Sequence, residues 1–383
     1  MSLRILVPLS HALHRRNLVG SGLVSMLEKR GHQVTLLEDL KPRLARLRKS
    51  LRLMTLVQGE LRSRTYRHKA TLRRSGQRLE AAVWRAIRRR GVDLEALAIR
   101  IEGGLPMQRE TLYSIIGQDM LAYDVLLWPT LVHQDATDND LIKAAKALSI
   151  PVVAAIASWD SLTSKGSFLV RPDRLIVWGV ASVLQAMEFH SFDYDAVEPT
   201  GPPHFWPYES GVEPLGDKIL VAGTSLHYWQ QEKEFVAALE KQFPGRVLHR
   251  QHPRTSQSGW AMDVESPKRD LQRSAVVVAA FSTIVIEAAL MGRPSILVAF
   301  GTGEQGRTVD HLAYDHMAEI ARWPFVFTAY ERNQLIDWAG RYLGSSVRGG
   351  PVQETHMRDK ALRIANCKPG IRERFCEAVE RAR

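Results

Sequence analysis

Two α/β domains, each built on a parallel sheet, are what this sequence predicts, and three observations predict them. Short apolar runs alternate with segments of helical spacing from Arg4 to Phe300, the pattern of strands joined by crossover helices. A looser stretch with four prolines, 201–217, interrupts the alternation midway and then lets it restart. The chain has 383 residues, more than the about 250–300 over which a single core usually extends.

The elements follow in order. Arg4–Leu9 reads as a buried strand, followed by a polar turn, a helix over about 20–30 stopped by Gly31-His32, and a second strand, Gln33–Leu37. The turn at 10–17 lacks Gly-x-Gly-x-x-Gly, so no dinucleotide fingerprint is present there. Tyr123–Pro129 and Pro151–Ala157 read as strands around a helix at about 138–148, and Arg174–Trp178 as another strand. Past the proline-rich stretch come strand Lys218–Ala222, a helix at about 231–242, and strands Val247–Arg250 and Ala275–Ala280. A helix at about 284–291 and strand Ser295–Phe300 complete the second half. The expected domains are 1–207, carrying a helical insertion at 41–115, and 218–356, with 357–383 as one closing helix.

Hydrophobic residues make up 45% and charged residues 24%, the balance of a soluble globular chain. The N-terminal apolar run is too short for the core of a secretory signal. The longest apolar stretch, 274–292, is broken by Ser282, Thr283 and Glu287, so no membrane span is expected. Cys367 and Cys376 are the only cysteines, which supports neither a disulfide framework nor a four-ligand metal site and points to the cytoplasm. Asp135, Asp138 and Asp140 cluster at a predicted helix start, where the helix dipole favours acids, and no metal is expected there.

The net charge of +11 is concentrated in one segment. Between Lys41 and Arg90 there are seventeen Lys and Arg against two acids, Glu60 and Glu80, so the window carries +15 and the rest −4. Leu44, Leu47, Leu51, Met54 and Leu61 recur there at helical spacing, with Arg46, Arg48, Lys49 and Arg52 around them. A helix packed on its domain with a solvated basic face is the plainest reading. Anionic lipid contact ranks second and nucleic acid third.

Three polar loops follow strands in the second half: Gly223-Thr224-Ser225, His252-Pro253-Arg254 and Ser282-Thr283, with Glu287 about one helical turn beyond the last. Loops after parallel strands share one sheet edge, and hydroxyls, free helix-start N–H groups, an imidazole and a guanidinium suit a nucleotide diphosphate. Each also has a plain structural use as a cap or a turn. In the first half Ser158–Gly166 follows a strand. Within it Asp160 is placed as a general base, with Ser164 and Lys165 able to meet phosphate. His11 and His14, in the first strand-to-helix turn, are the alternative bases. No P-loop, His-Glu-x-x-His or Gly-x-Ser-x-Gly occurs.

Taken together, these residues resemble the GT-B glycosyltransferase superfamily, above all bacterial surface and capsule polysaccharide transferases and CDP-glycerol glycerophosphotransferase-like proteins. The run SWDSLTSKG, followed by RPDRLIVWG, carries the resemblance in the first half; His252-Pro253, Ser282-Thr283 and Glu287 carry it in the second. The resemblance implies two Rossmann-like domains facing across a cleft, with the donor nucleotide held by Thr224, Ser225, His252, Arg254, Ser282, Thr283 and Glu287. The segment FGTGEQGRTVDHL matches too loosely for individual contacts, and the acid-acid-Gly motif that supplies the base in some sialyltransferase-like members is absent. The implied activity is inverting, metal-independent transfer of a sugar from a CMP-, CDP- or UDP-linked donor to a surface-polysaccharide or lipid-linked acceptor. Asp160, His11 or His14 acts as base and His252 assists the departing phosphate. No cofactor is implied beyond the donor. The basic segment 41–90 then suggests peripheral contact with the inner membrane face rather than with nucleic acid. A nucleotide-sugar 2-epimerase and a non-catalytic nucleic-acid- or partner-binding module are the alternatives.

Overall fold

The computed structural model describes residues 2–38, 45–71, 75–106, 122–132, 136–224, 229–252, 262–304, 306–344 and 351–382. It divides into two compact units, Met1–Pro203 with Gly370–Arg383, and His204–Pro369.

The first unit is a six-stranded parallel sheet: β1 (Arg4–Pro8), β2 (Gln33–Leu37), β3 (Val125–Thr130), β4 (Val152–Ile156), β5 (Arg174–Val177) and β6 (Val197–Pro199), in the order β2-β1-β3-β4-β5-β6. Ile5 of β1 pairs with Val34 on one side and Val125 on the other. The chain therefore leaves β1 in one direction and returns to its other flank, which makes the β1/β3 junction the place where strand order reverses. In open parallel sheets ligands bind beyond the strand ends at such a reversal. The inner strands β3 and β4 are buried throughout, which is why they read as continuous apolar runs. After β1 the chain forms a short helix, α1 (Ala12–Arg15), a π-helical turn over 16–20, and α2 (Leu23–Lys29). Gly22, at φ 77°, starts α2 in a conformation open to glycine.

Residues 351–382 form two helices, Pro351–Ile364 and Ile371–Glu380, where the sequence suggested one. Pro369 lies in the link between them, and Gly370, at φ 85°, precedes the first residue of the second. The second helix seals the first unit: Phe375, Cys376 and Val379 pack with Leu23, Leu27, Ile5 and Val7 in one core.

The basic insertion is a helical layer, α3 (Ala45–Gly59), α4 (Arg64–Thr71), α5 (Ser75–Arg89) and α6 (Leu94–Gly104), with its own core. Leu51, Met54, Val57, Tyr66, Ala81 and Leu94 fill it. Leu51 and Met54 point inward as their spacing suggested, whereas Leu47 and Leu61 are exposed and Leu44 lies outside the described residues. Arg48, expected on a solvated face, is buried. Beyond β3 comes α7 (Ala136–Ala147).

The second unit repeats the plan in five parallel strands: β7 (Lys218–Ala222), β8 (Val247–Arg250), β9 (Ser274–Ala279), β10 (Ser295–Val298) and, beyond a small hairpin of β11 (Thr302–Gly303) and β12 (Gly306–Arg307), β13 (Val326–Ala329). Their order is β13-β10-β9-β7-β8, so strand order reverses between β7 and β9. Ile219, Val221, Val276, Val278, Ile296 and Val298 form the sheet side of the core, covered by Phe235, Leu239 and Leu335.

Arg293, in the Gly-Arg-Pro turn before β10, is fully buried and donates to four backbone carbonyls. Its partners are Leu271 (3.0 Å), Glu213 (2.9 Å), Pro214 (2.6 Å) and Met291. A lysine keeps the charge but cannot present that fork of donors. Arg293→Lys is expected to cost about 3 kcal/mol through unmet carbonyls, read as a lower urea midpoint with an unchanged m-value.

Candidate functional site

At the β1/β3 reversal three polar side chains join across the junction. The loop after β1 supplies Ser10 and His14, and the first turn of α7 supplies Asp138. Ser10 Oγ lies 3.4 Å from Asp138 Oδ2 and 3.4 Å from His14 Nδ1, while Trp128 Nε1 donates to the same Asp138 oxygen at 2.8 Å. An ionised carboxylate only accepts, so the serine proton points to Asp138 and a serine lone pair faces the imidazole. His14 Nδ1 then carries the hydrogen, and Nε2 presents a lone pair. That Nε2 is buried and has no hydrogen-bond partner among the described residues. A buried polar atom without a partner calls for an explanation, and a ligand or a catalytic role is one. Contacts as long as 3.4 Å are usual in free enzymes and tighten on substrate binding.

Burial, with a smaller contribution from the nearby His11, pushes the His14 pKa down to about 3, so the ring is neutral at physiological pH. His11 is different. Its Nδ1 accepts from the Leu13 N–H at 3.0 Å, capping α1, so the neutral ring carries its proton on Nε2. The two rings are 5.8 Å apart.

Two further buried polar atoms without partners among the described residues belong to the same sheet edge: Asn17 Oδ1 in the π-helical turn and Ser161 Oγ after β4. Asn17 Nδ2 donates to Ala157 O at 2.8 Å, which ties the loop after β1 to the loop after β4.

In that second loop Asp160 is buried and its oxygens are occupied. Oδ1 accepts from Ser158 Oγ at 2.6 Å; Oδ2 accepts from Ser164 Oγ at 2.7 Å and meets Lys165 Nζ at 3.3 Å. The three residues picked out together in SWDSLTSKG are thus one network, organised by the carboxylate. The insertion supports it from below: Arg52 Nε donates to Lys165 O at 2.6 Å, and Thr55 Oγ1 accepts from Ser167 N at 3.2 Å. A Cβ on Gly166, which has φ 86°, would lie 2.5 Å from Thr55 Oγ1, so this close approach requires glycine.

In the second unit the loops after β7 and β9 flank the reversal of strand order. Thr224 N donates to Glu232 Oε2 at 2.6 Å, and the other oxygen of Glu232 lies 2.9 Å from His249 Nε2, binding the loop after β7 to β8. A Cβ on Gly223 would approach Glu232 Oε1 to 2.7 Å and Arg250 O to 2.9 Å, so glycine is required there too. His252 lies half-buried just past β8; Ser225 and Arg254 lie outside the described residues. Ser282 Oγ accepts from Ile284 N at 3.3 Å just before the helix Ile284–Leu290, whose N-cap residue is Thr283; both are half-buried. Glu287, placed in the donor-nucleotide set by the resemblance, is buried and accepts from the Tyr208 hydroxyl of the 203–208 turn. Next to Ser282, the Phe281 ring packs on His311, Tyr314 and His316 at centroid distances of 5.9, 5.8 and 5.4 Å.

The structure thus gathers His11 and His14 at one sheet edge with the Asp160, Ser164 and Lys165 network, and Thr224, Ser282 and Thr283 at the edge of the other unit. Sequence reasoning missed Ser10, Asn17, Asp138 and Glu232. Asp138 had been assigned to the helix dipole; its signal was its place just after β3, at the reversal. Among the described residues no group of three His, Cys, Asp or Glu is placed to hold a metal ion.

No family model matches the chain, and no curated protein sequence does. Solved structures do. S. aureus MnaA, solved with UDP, is 9% identical over 99% of this chain and 96% of its own, with a TM-score of 0.50. UDP-GlcNAc 2-epimerase from Neisseria meningitidis, bound to UDP-GlcNAc, is 10% identical over the whole of both chains at a TM-score of 0.49. Anabaena HepE, in complex with UDP and glucose, is 10% identical over 99% of this chain and 100% of its own at 0.44. At such identities the likeness is one of fold alone: two α/β units, each on a parallel sheet whose strand order reverses.

Proposed function

We propose that the protein is a nucleotide-sugar-dependent glycosyltransferase in which His14 is the general base. The observation that carries this reading is the Asp138–Ser10–His14 chain at the β1/β3 reversal, which favours one imidazole tautomer and leaves the buried Nε2 without a partner among the described residues. Transfer to an alcohol requires removal of a hydroxyl proton as the new bond to the sugar carbon forms, and a neutral imidazole with a free lone pair does this. Substrate phosphate charge favours the protonated ring and so raises the basicity that burial had lowered. Asn17 Oδ1 and Ser161 Oγ can accept and donate to neighbouring acceptor hydroxyls, which favours a polyol or saccharide acceptor. Asp160 is assigned to positioning, because both its oxygens already accept from Ser158, Ser164 and Lys165.

The donor nucleotide is assigned to the second unit, with its phosphates at Thr224, Ser282 and Thr283, assisted by His252, and with Ser225 and Arg254 retained from the sequence reading. The leaving diphosphate gains stabilisation there from hydroxyl and backbone donors. The co-structure of MnaA with UDP supports trying uridine nucleotides beside cytidine ones. Peripheral contact with a membrane bearing a lipid-linked acceptor completes the reading; no helix among the described residues is long and apolar enough to cross one.

Thermal-shift titration with UDP, CDP and CMP is expected to raise the melting temperature for at least one nucleotide, because ligand binding stabilises the native state. Thr224→Val with Ser282→Ala should lose that shift. Chromatography of donor plus saccharide acceptor is expected to show nucleotide release coupled to a glycosylated product. Conversion of a nucleotide sugar to its epimer without acceptor decides for an epimerase, and nucleotide indifference in every assay decides against enzymatic use of the fold.

A further inference from the structure

Helix α5 has two apolar edges. The inner one, Ala81, Trp84 and Ile87, packs into the core of the insertion, and Arg85 and Arg88 on the same side pair with Glu60. The outer one carries Leu79, Val83 and Ala86 at i, i+4, i+7 spacing, with Leu79 71% and Val83 49% exposed. Arg78, Arg89 and Arg90 are exposed around that stripe. At the turn after α3, adjoining the Glu60 to which α5 is tied, Leu61 is 76% exposed, and Arg64 and Arg67 of α4 are exposed as well.

The two acids of segment 41–90 do not neutralise Arg89 or Arg90. Glu60 is spent on Arg85 and Arg88, and Glu80 accepts from Ser50 Oγ and from Trp84 Nε1. Bare leucine and valine set among arginines gain nothing from a nucleic-acid backbone, which rewards cations alone. At a lipid interface both kinds of side chain are satisfied: the apolar ones enter the acyl boundary and the guanidinium groups meet phosphate.

We propose that the outer edge of α5, with Leu61, docks the protein on an anionic lipid surface through Leu79, Val83, Arg78, Arg89 and Arg90. This inference does not rest on the transferase reading. It also changes which residues test membrane contact, since Arg48 and Arg52 are used internally and their reversal would damage the fold.

Cosedimentation of the full chain is measured with phosphatidylcholine–phosphatidylglycerol vesicles and with phosphatidylcholine vesicles alone. Binding is expected on the first and little on the second, weakened but not abolished by salt. Leu79→Ser with Val83→Ser should lower partitioning about tenfold or more, and Arg78→Glu with Arg89→Glu about 30-fold. All four sites are exposed, so circular dichroism and melting temperature should match the parent protein. Unchanged partitioning in both double variants overturns the proposal. So does retention of single-stranded RNA without vesicle binding, or a dimer in light scattering that Leu79→Ser with Val83→Ser dissolves, which would make the stripe a contact between copies.

Discussion

Turnover in the His14→Gln protein is expected to fall about 10²- to 10⁴-fold, the usual range for loss of a general base, while the nucleotide-induced melting shift stays as in the parent. The separation is expected because the base and the nucleotide groups belong to different units. Asp138→Asn tests the carboxylate charge separately. Trp128 Nε1 can only donate, so the asparagine carbonyl takes the place of Oδ2, where it still accepts from Ser10 and keeps the tautomer. With only the charge removed, its loss of turnover should stay well below that of His14→Gln, about tenfold. Ser10→Ala, which only interrupts the link, should cost about tenfold. A His14→Gln protein that turns over normally eliminates the assignment, and activity lost instead in Asp160→Asn restores that carboxylate as the base.

The same histidine predicts how stability varies with pH. Its pKa is about 3 in the fold against 6.5 for the free ring, and burial likewise lowers His190 to about 4. The unfolded chain therefore binds protons that the folded chain refuses. This contribution to stability is complete above about pH 6.5 and is lost as pH falls toward the folded values. Unfolding free energies from urea titrations at about pH 7 and about pH 5 should differ by an amount on the order of 1 kcal/mol or more, the midpoint being lower at about pH 5. His14→Gln should flatten the difference, and a midpoint that rises on acidification contradicts the buried neutral ring.

Much of the scaffold was legible in the sequence because inner parallel strands leave uninterrupted apolar runs, and the partly exposed edge strands β2 and β8 each follow a helix and a glycine. β2, β7 and β8 fall on the residues read as strands, and β9 and β10 differ only at their ends. β6 and β13 escaped notice: Val197–Pro199 is three residues ending in proline, and Val326–Ala329 is four, too short for a period to show. The candidate site was legible where chemistry concentrates in one loop, as in Ser158–Gly166. It was illegible where partners come from separate elements. Ser10 and Asp138 are 128 residues apart and meet only because strand order reverses between β1 and β3. Charge misled in the insertion, since Arg48 has the sequence context of a solvated arginine and a buried set of partners.

That buried arginine carries the largest stability prediction. Arg48 binds Glu102 in a fork, Nε to Oε2 at 3.0 Å and a terminal nitrogen to Oε1 at 2.9 Å, and the same nitrogen reaches Asp140 Oδ1 at 2.7 Å. Lys143 completes the network at 2.9 Å from Glu102. Burial lowers the Arg48 pKa, but hydrogen bonds to Glu102 and then Asp140 outweigh it and hold it above the ordinary value. Arg48→Met strands two buried carboxylates with only Lys143 to answer them, and the expected loss is about 3–5 kcal/mol, measured as a fall in urea midpoint. Glu102→Gln added to Arg48→Met should recover part of it, because one stranded charge is removed. The network also joins α3 and α6 to the start of α7, two residues from Asp138. Loosening it should therefore disturb the serine–histidine chain as well. At temperatures where the Arg48→Lys variant remains folded, kcat should fall while KM changes little. If kcat is untouched while stability drops, the insertion supports the fold without positioning the base.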